Sequence, residues 1–230
     1  MIPIITIRPD PGCAETIAAL ATKRLEACGF PLFSVDPADW NPPDPAGIDA
    51  LLLGSANAIR HGGAALGDYL GKPVYAVGLA TAKAARQAGF AVIGTGEGGL
   101  QSLLAQVLPA HNRLLRLAGK RRTVLDVPPH ITLAERVVYA ARPLPMSPGL
   151  EAVLANRCVV LLHSAEAARH FSSLCLAHGI DRSRITLAAM GPRISAAAGP
   201  GWRLVADAAN PSEDALLALA EQLCQNKAPQ

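Results

Sequence analysis

The chain has 230 residues, 50% of them hydrophobic but only 4% aromatic, and carries a formal net charge of +3. That is enough for one large or two small domains with cores of Ala, Leu, Val and Ile, and the charge is too mild to imply nucleic acid. Five cysteines, at 13, 28, 158, 175 and 224, are odd in number and hold no C-x-x-C pair, which argues against a disulfide framework or a zinc site.

The opening "IPIITI", residues 2–7, predicts a strand stopped by Pro9 and Pro11. A helix is expected over 14–28, with Glu15 in its first turn and Gly29 ending it. "FPLFSV", residues 30–35, completes a β-α-β unit, and the four prolines of residues 36–47 then mark a connector. A second α/β run starts at Ile48: "IDALLLGS" is a buried strand, residues 56–70 a weak helix or two short ones, and "PVYAVG" a strand. Helix 79–89, strand 90–94, helix 98–108 and strand 112–119 follow, and a strand over 131–138 leads into Tyr139. Pro-rich residues 143–148 make a second break. The third run reads strand 156–164, helix 165–179, strand 184–191, a helix start at 192–199, strand 202–207 and a helix over 212–224 with Ser212 as its N-cap.

The second and third runs share an outline. In each, a strand ends in Ser (Ser55, Ser164) and the next in Gly (Gly78, Gly191). A short helix follows, then Gly and an aromatic residue (Gly89-Phe90, Gly201-Trp202). Apolar strands with short helical connections favour parallel sheets covered on both faces, so two similar α/β domains are expected, with a ligand between them. Residues 1–35 are too few to stand alone. The expected first domain is therefore 1–35 plus 143–230, with 36–142 inserted as the second and linker segments near 35–40 and 136–142.

The N-terminus lacks the basic and long apolar segments of a signal peptide, and no apolar run is long enough to span a bilayer, so a soluble cytoplasmic protein without membrane contact is expected. The loops Ser55-Ala56-Asn57, Gly78 to Thr81 and Gly191-Pro192-Arg193 fall at strand-to-helix joins, where backbone N–H groups can take a carboxylate or phosphate; helix capping is the plainer role for each. Arg8 and Tyr139 follow or end strands and are expected to face loops. Tyr139 brings a phenol able to protonate a leaving oxygen. "KRR", Lys120 to Arg122, reads as a charged turn. No P-loop, no G-x-S-x-G elbow and no H-E-x-x-H occurs, and "GTGEGG" at 94–99 is no dinucleotide fingerprint, so neither a nucleotide nor a metal is expected.

"ITIRP" near the start, "DALLLGSANAI" at 49–59, "VYAVGLATAKAARQAGF" at 74–90 and "RLAG" at 116–119 occur in that order. "VVYAARPLP" at 137–145, "VVLLHSAEAARHF" at 159–171 and "AAMGPRISAAA" at 188–198 continue the series. Together they resemble the uroporphyrinogen-III synthase family of tetrapyrrole biosynthesis over almost the whole chain. The resemblance implies two α/β domains joined by two antiparallel linker strands around a deep cleft, one domain built from both chain ends. It implies a monomeric lyase without metal or organic cofactor that cyclises hydroxymethylbilane to uroporphyrinogen III. Water is lost to give an azafulvene, and a spiro-pyrrolenine then allows ring D to be inverted. By the same resemblance Tyr139 is the catalytic acid. Ser55, Asn57, Gly78, Thr81, Ser164, Gly191 and Pro192 line the cleft, and Arg8 matches the Arg after the first strand.

Three departures stand out. Ile7 replaces a common Thr. Arg193 and Ile194 replace a hydroxyl after Gly-Pro, so Arg193 is expected to pair with a substrate carboxylate instead. A helix between "RLAG" and the linker Tyr is expected to be lost to Pro128 and Pro129, leaving Lys120 and Arg121 to serve carboxylates from a loop. The rival reading is a non-catalytic two-domain binding protein for an anionic small molecule, including a degenerate synthase homologue. A phosphate-ester or nucleotide-sugar enzyme would need an acid-base pair that the sequence does not offer.

Overall fold

Short apolar runs become parallel strands because both faces of each sheet are covered by helices. In the computed structural model, which describes residues 2–96 and 98–225, the chain divides into two compact units, Met1–Ser34 with Arg142–Gln230 and Val35–Ala141.

The first unit holds β1 (Ile4–Thr6), α1 (Gly12–Thr22) and β2 (Ala27–Gly29). After the chain returns it adds α5 (Pro148–Leu154), β9 (Cys158–Leu162), α6 (Ala165–Ala177), β10 (Ile185–Ala189), α7 (Pro192–Ala198), β11 (Leu204–Asp207) and α8 (Glu213–Gln225). Its five strands run in the order β11-β10-β9-β1-β2, every pair parallel. One face packs Leu150, Phe171, Cys175 and Leu187. The other packs Leu20, Leu216, Leu217 and Ala220 against Ile4 and Leu161. From β1 the chain steps to β2 on one side, and from β9 to β10 and β11 on the other, so the order reverses between β1 and β9.

The second unit holds β4 (Ala50–Leu53), α2 (Asn57–His61), β5 (Pro73–Val77), α3 (Gly78–Gln87), β6 (Ala91–Gly96), α4 (Leu100–Leu104) and β7 (Arg113–Gly119). Two further strands, β3 (Phe33–Pro37) and β8 (Thr132–Pro143), carry the chain from one unit to the other and back. The six-stranded order is β3-β8-β7-β4-β5-β6. Ala38 N donates to Val138 O at 3.0 Å and Leu144 N to Leu32 O at 2.9 Å, the descending pairing of antiparallel strands. The order reverses between β4 and β7, since β5 and β6 lie to one side and β7 and β8 to the other. Ala58, Ala82 and Ala85 cover one face of this sheet and Leu103 and Leu104 the other.

Some expected boundaries move. The first helix stops at Thr22, where Lys23 and Arg24 N–H close onto Leu20 and Ala21 carbonyls and Arg24 takes φ 57°. Residues 27–29, expected as helix, join the edge of β1 as β2. Gly29 therefore does not cap a helix: a Cβ there would collide with the side chains of Cys13 and Ile17, so its lack of one lets α1 lie on β2. The "FPLFSV" strand begins later, at Phe33. Helix α4 spans only Leu100–Leu104 of the expected 98–108. Helix α5 starts where the Pro-rich break ends; Pro148 occupies the first turn, where a missing N–H is harmless, and Ser147 Oγ accepts from Leu150 N at 3.2 Å. No regular element covers residues 120–131.

Among the described residues no helix is long and apolar enough to cross a membrane, and no group of three His, Cys, Asp or Glu could hold a metal ion. All five cysteines are free thiols, and burial pushes Cys158 and Cys175 up to about 12.

Candidate functional site

In open parallel sheets a crevice forms outside the carboxyl ends of strands where their order reverses. The second unit has a cavity of about 250 Å³ at that point. Gly54 and Ser55 enter it from the end of β4, and Leu117, Ala118 and Gly119 from the end of β7. Val77, Gly99, Leu100 and Thr123 complete most of the wall. Three arginines, Arg116, Arg121 and Arg122, line it together with Tyr139, and no acidic residue does among the described residues.

Each polar member is set by its strand. Arg116 sits in the middle of β7, on the face of Leu114 rather than that of Leu115 and Leu117, and is only 2% exposed. Its Nη1 donates to Thr123 O at 2.9 Å and to Glu135 Oε1 at 2.9 Å; Glu135 is its partner across the β7–β8 pair. Burial pulls this guanidinium below its usual range, and the Glu135 charge opposes that shift. Arg122 Nε reaches the same Oε1 at 3.2 Å, so one carboxylate oxygen serves two cations. Residues 120–131 cross this face as a strap: Gln101 Nε2 donates to Asp126 O and Asp126 N to Gln101 Oε1, at 2.8 and 2.9 Å.

Tyr139 lies within β8, half-buried rather than at the strand end as expected. Its ring tilts towards His61, 6.1 Å between centroids, and covers Gly119, where a register shift interrupts the β7–β8 ladder. His61 is held below its usual range, first by burial and then by Arg60.

Of the seven second-unit residues selected from sequence, the cavity gathers Ser55, Arg121 and Tyr139. Asn57 opens α2, its N–H held by Ser55 Oγ at 3.2 Å and its Oδ1 accepting from Arg60. Gly78 opens α3 with φ +75° but does not line the cavity. Thr81 lies in the first turn of α3, is 4% exposed and does not line the cavity. Lys120 is exposed beside the cavity, its backbone N–H donating to Tyr139 O at 2.9 Å. Sequence reasoning missed Arg116 and did not select Arg122 as a ligand-binding residue. The available signal was a cation at an inward position of the apolar run "LLRLAG".

The first unit treats its own reversal point differently. Arg8 follows β1 and His163 follows β9, but a carboxylate from α8 fills the space between them. Arg8 Nη1 donates to Glu213 Oε2 at 2.9 Å and to Thr16 Oγ1 at 3.2 Å, Thr16 Oγ1 donates to Glu213 Oε1 at 2.6 Å, and His163 Nε2 lies 3.1 Å from Glu213 Oε2. Arg8, expected to face a loop and meet the substrate, thus has an internal carboxylate. Burial alone would raise Glu213; the hydrogen bonds of His163 and Thr16 and the charges of His163 and Arg8 overcome it and hold the carboxyl at about 2. A depressed carboxyl stabilises the fold above its unfolded value near 4.5 and loses that contribution as pH falls towards 2. Glu213→Gln is expected to remove about 1–2 kcal/mol at pH 7, after discounting for partial exposure, and to flatten the stability profile between pH 5 and 2. Urea unfolding across that range measures it; parallel profiles for the two proteins would contradict it.

Ser164 caps α6, accepting from Ala167 N at 3.1 Å. Gly191 precedes α7, Pro192 opens it, and Arg193 is exposed just beyond. Ser164→Ala is expected to cost about 1 kcal/mol through loss of the cap. A lower urea midpoint at unchanged slope reads that loss, and an unmoved midpoint would contradict the cap.

The model of the family described as Uroporphyrinogen-III synthase HemD matches residues 14–218. The chain belongs to the uroporphyrinogen-III synthase family. This synthase family comprises lyases of porphyrin and haem biosynthesis, which places a tetrapyrrole as the substrate class. No curated protein matches the chain. Among solved structures, the uroporphyrinogen-III synthetase of Helicobacter pylori 26695 is 18% identical, with a TM-score of 0.66 over 97% of this chain and 100% of that one. A mutant uroporphyrinogen III synthase from the extremely thermophilic bacterium Thermus thermophilus is 17% identical, with a TM-score of 0.56 over 98% and 100%. Both likenesses show the shared α/β fold.

Proposed function

We propose that the chain closes hydroxymethylbilane to uroporphyrinogen III, with the reversal-point cavity of the second unit holding the reacting end of the bilane. The observation that carries the placement is a single cavity wall bearing both the Tyr139 phenol and three arginines. The substrate carries eight carboxylates, and arginine is suited to grip them in bidentate fashion. The cavity is smaller than the roughly 300–1,000 Å³ that encloses a drug-sized ligand, so it holds one portion of a tetrapyrrole.

In this reading Tyr139 donates its phenolic proton to the terminal hydroxyl as the C–O bond breaks, and water leaves. The pyrrole nitrogen lone pair supplies the electrons that form the azafulvene. The last ring attacks through its substituted carbon, the spiro-pyrrolenine fragments and recombines with ring D inverted, and closure at the free carbon releases one proton. That proton restores Tyr139. Atoms balance with loss of one water, a hydro-lyase reaction, and no external oxidant or reductant is required. Because the azafulvene is intrinsically reactive, orientation contributes more than a strong base would. Ser55, Asn57, Gly78 and Thr81 of the second unit, and Arg8, Ser164, Gly191 and Pro192 of the first, remain proposed substrate contacts on the strength of the family resemblance, and Lys120, Arg121 and Arg193 as cations placed where the sequence departs from it.

The test is a progress curve with freshly generated hydroxymethylbilane and purified, chelator-treated protein. Consumption well above the uncatalysed rate, saturating with substrate, is expected. A rate equal to the protein-free control would overturn the proposal.

A further inference from the structure

We infer that Arg116 is the anchor for one carboxylate of the substrate, received on its Nε edge while Glu135 holds the guanidinium from the Nη1 side. The inference rests on the synthase reading for the substrate's identity and adds a residue and a subsite to it.

Four observations converge. Arg116 lines the cavity at the reversal point, yet its side chain is only 3% exposed, and its Nε is buried without a hydrogen-bond partner among the described residues. A buried donor left unmade is costly, and a charged one more so, which makes an unpaired guanidinium edge informative. Among the described residues one carboxylate oxygen also serves two cations: Glu135 Oε1 accepts from both Arg116 and Arg122. Two cations on one carboxylate oxygen leave positive charge that a second carboxylate would neutralise. Finally, the first unit shows what the corresponding position of a similar sheet accepts. There the point between β1 and β9 is filled by the carboxylate of Glu213, bonded to Arg8 and Thr16. The first unit closes its reversal point with its own acid; the second holds there a buried guanidinium whose Nε has no partner among the described residues.

Glu135 is a positioning residue in this arrangement. It lies opposite Arg116 on β8 and, with Thr123 O, fixes Nη1. The Nε edge is left for a ligand oxygen.

Arg116→Lys keeps the charge and most of the length but loses the fork. In steady-state assays with hydroxymethylbilane, KM is expected to rise about tenfold, as for loss of one charge-assisted contact, with kcat within twofold. Thermal unfolding of the same variant records any structural cost separately. An unchanged KM overturns the assignment whether or not the variant is less stable.

Should the variant fail to fold, the wild-type protein still decides. Its Arg116 Nε–H resonance, assigned by through-bond correlation, is followed while uroporphyrin III, an octacarboxylate, is titrated in, with inorganic phosphate at equal ionic strength as the comparison. A saturating shift with uroporphyrin III alone is expected; no shift, or an equal shift with phosphate, overturns the assignment. Absence of turnover by the wild-type protein would count against the synthase reading, and the titration would then judge Arg116 by itself.

Discussion

Tyr139→Phe is expected to lower kcat about 100-fold while leaving KM nearly unchanged, the low end of what a positioned general acid contributes. The phenylalanine ring keeps the packing against His61 and Gly119, so only the proton is lost. About 2.7 kcal/mol of barrier corresponds to that factor. Some turnover remains because hydroxymethylbilane loses its hydroxyl spontaneously in water. Single-turnover kinetics at saturating substrate separates the chemical step from binding, and an unchanged rate would remove Tyr139 from the role of acid.

A second large effect is expected from a residue with no chemistry of its own. Gly119 ends β7 beneath the Tyr139 ring, and a Cβ there would lie 2.7 Å from Cε2, 2.8 Å from Cζ and 3.0 Å from the phenolic oxygen. Ordinary carbon contacts are near 3.5–4.0 Å, so Gly119→Ala must push the ring away by about 1 Å. A displacement of that size can cost about 100-fold when it moves a catalytic group, and 10- to 100-fold in kcat is expected here. Gly119 has no left-handed backbone to protect, so the effect comes from the ring. Comparing the tyrosine's near-ultraviolet absorption and kcat in Gly119→Ala against wild type tests it; full activity would mean that the hydroxyl position is not critical.

Much of the α/β fold was legible because its strands are short β-branched or leucine runs bounded by glycine, serine or proline. "DALLLGS" and "CVVLLHS" read as buried strands, and Ser212 caps its helix as expected. What was missed follows from tertiary context. Residues 27–29 have no strand signal of their own and become β2 by hydrogen bonding along the edge of β1. Helix α5 was hidden by its own Pro148, a residue that breaks a helix interior but suits a first turn.

The candidate site was legible only in part. Ser55 could be selected from its place at a strand end, because parallel sheets collect ligands there, whereas Tyr139 and Arg121 were legible through comparison with the family pattern. Arg116 was hidden because position within a strand does not reveal a cavity: the same inward-pointing arginine could have been a closed ion pair. Its partner Glu135 is 19 residues away, on a strand whose pairing with β7 only the fold discloses. Helix α3 begins at Gly78 itself, so Thr81 lies in its first turn rather than in a loop. The ion pair of Arg8 with Glu213, 205 residues further on, is likewise disclosed only by the fold.

The measurement that tests the central claim most directly is the isomer composition of the product. Freshly generated hydroxymethylbilane is supplied to the protein, and the oxidised products are separated into uroporphyrins I and III. The account predicts predominantly isomer III, since inversion of ring D requires a protein that holds the spiro intermediate. Isomer I alone, the product of spontaneous closure, formed in the presence of folded protein would contradict it.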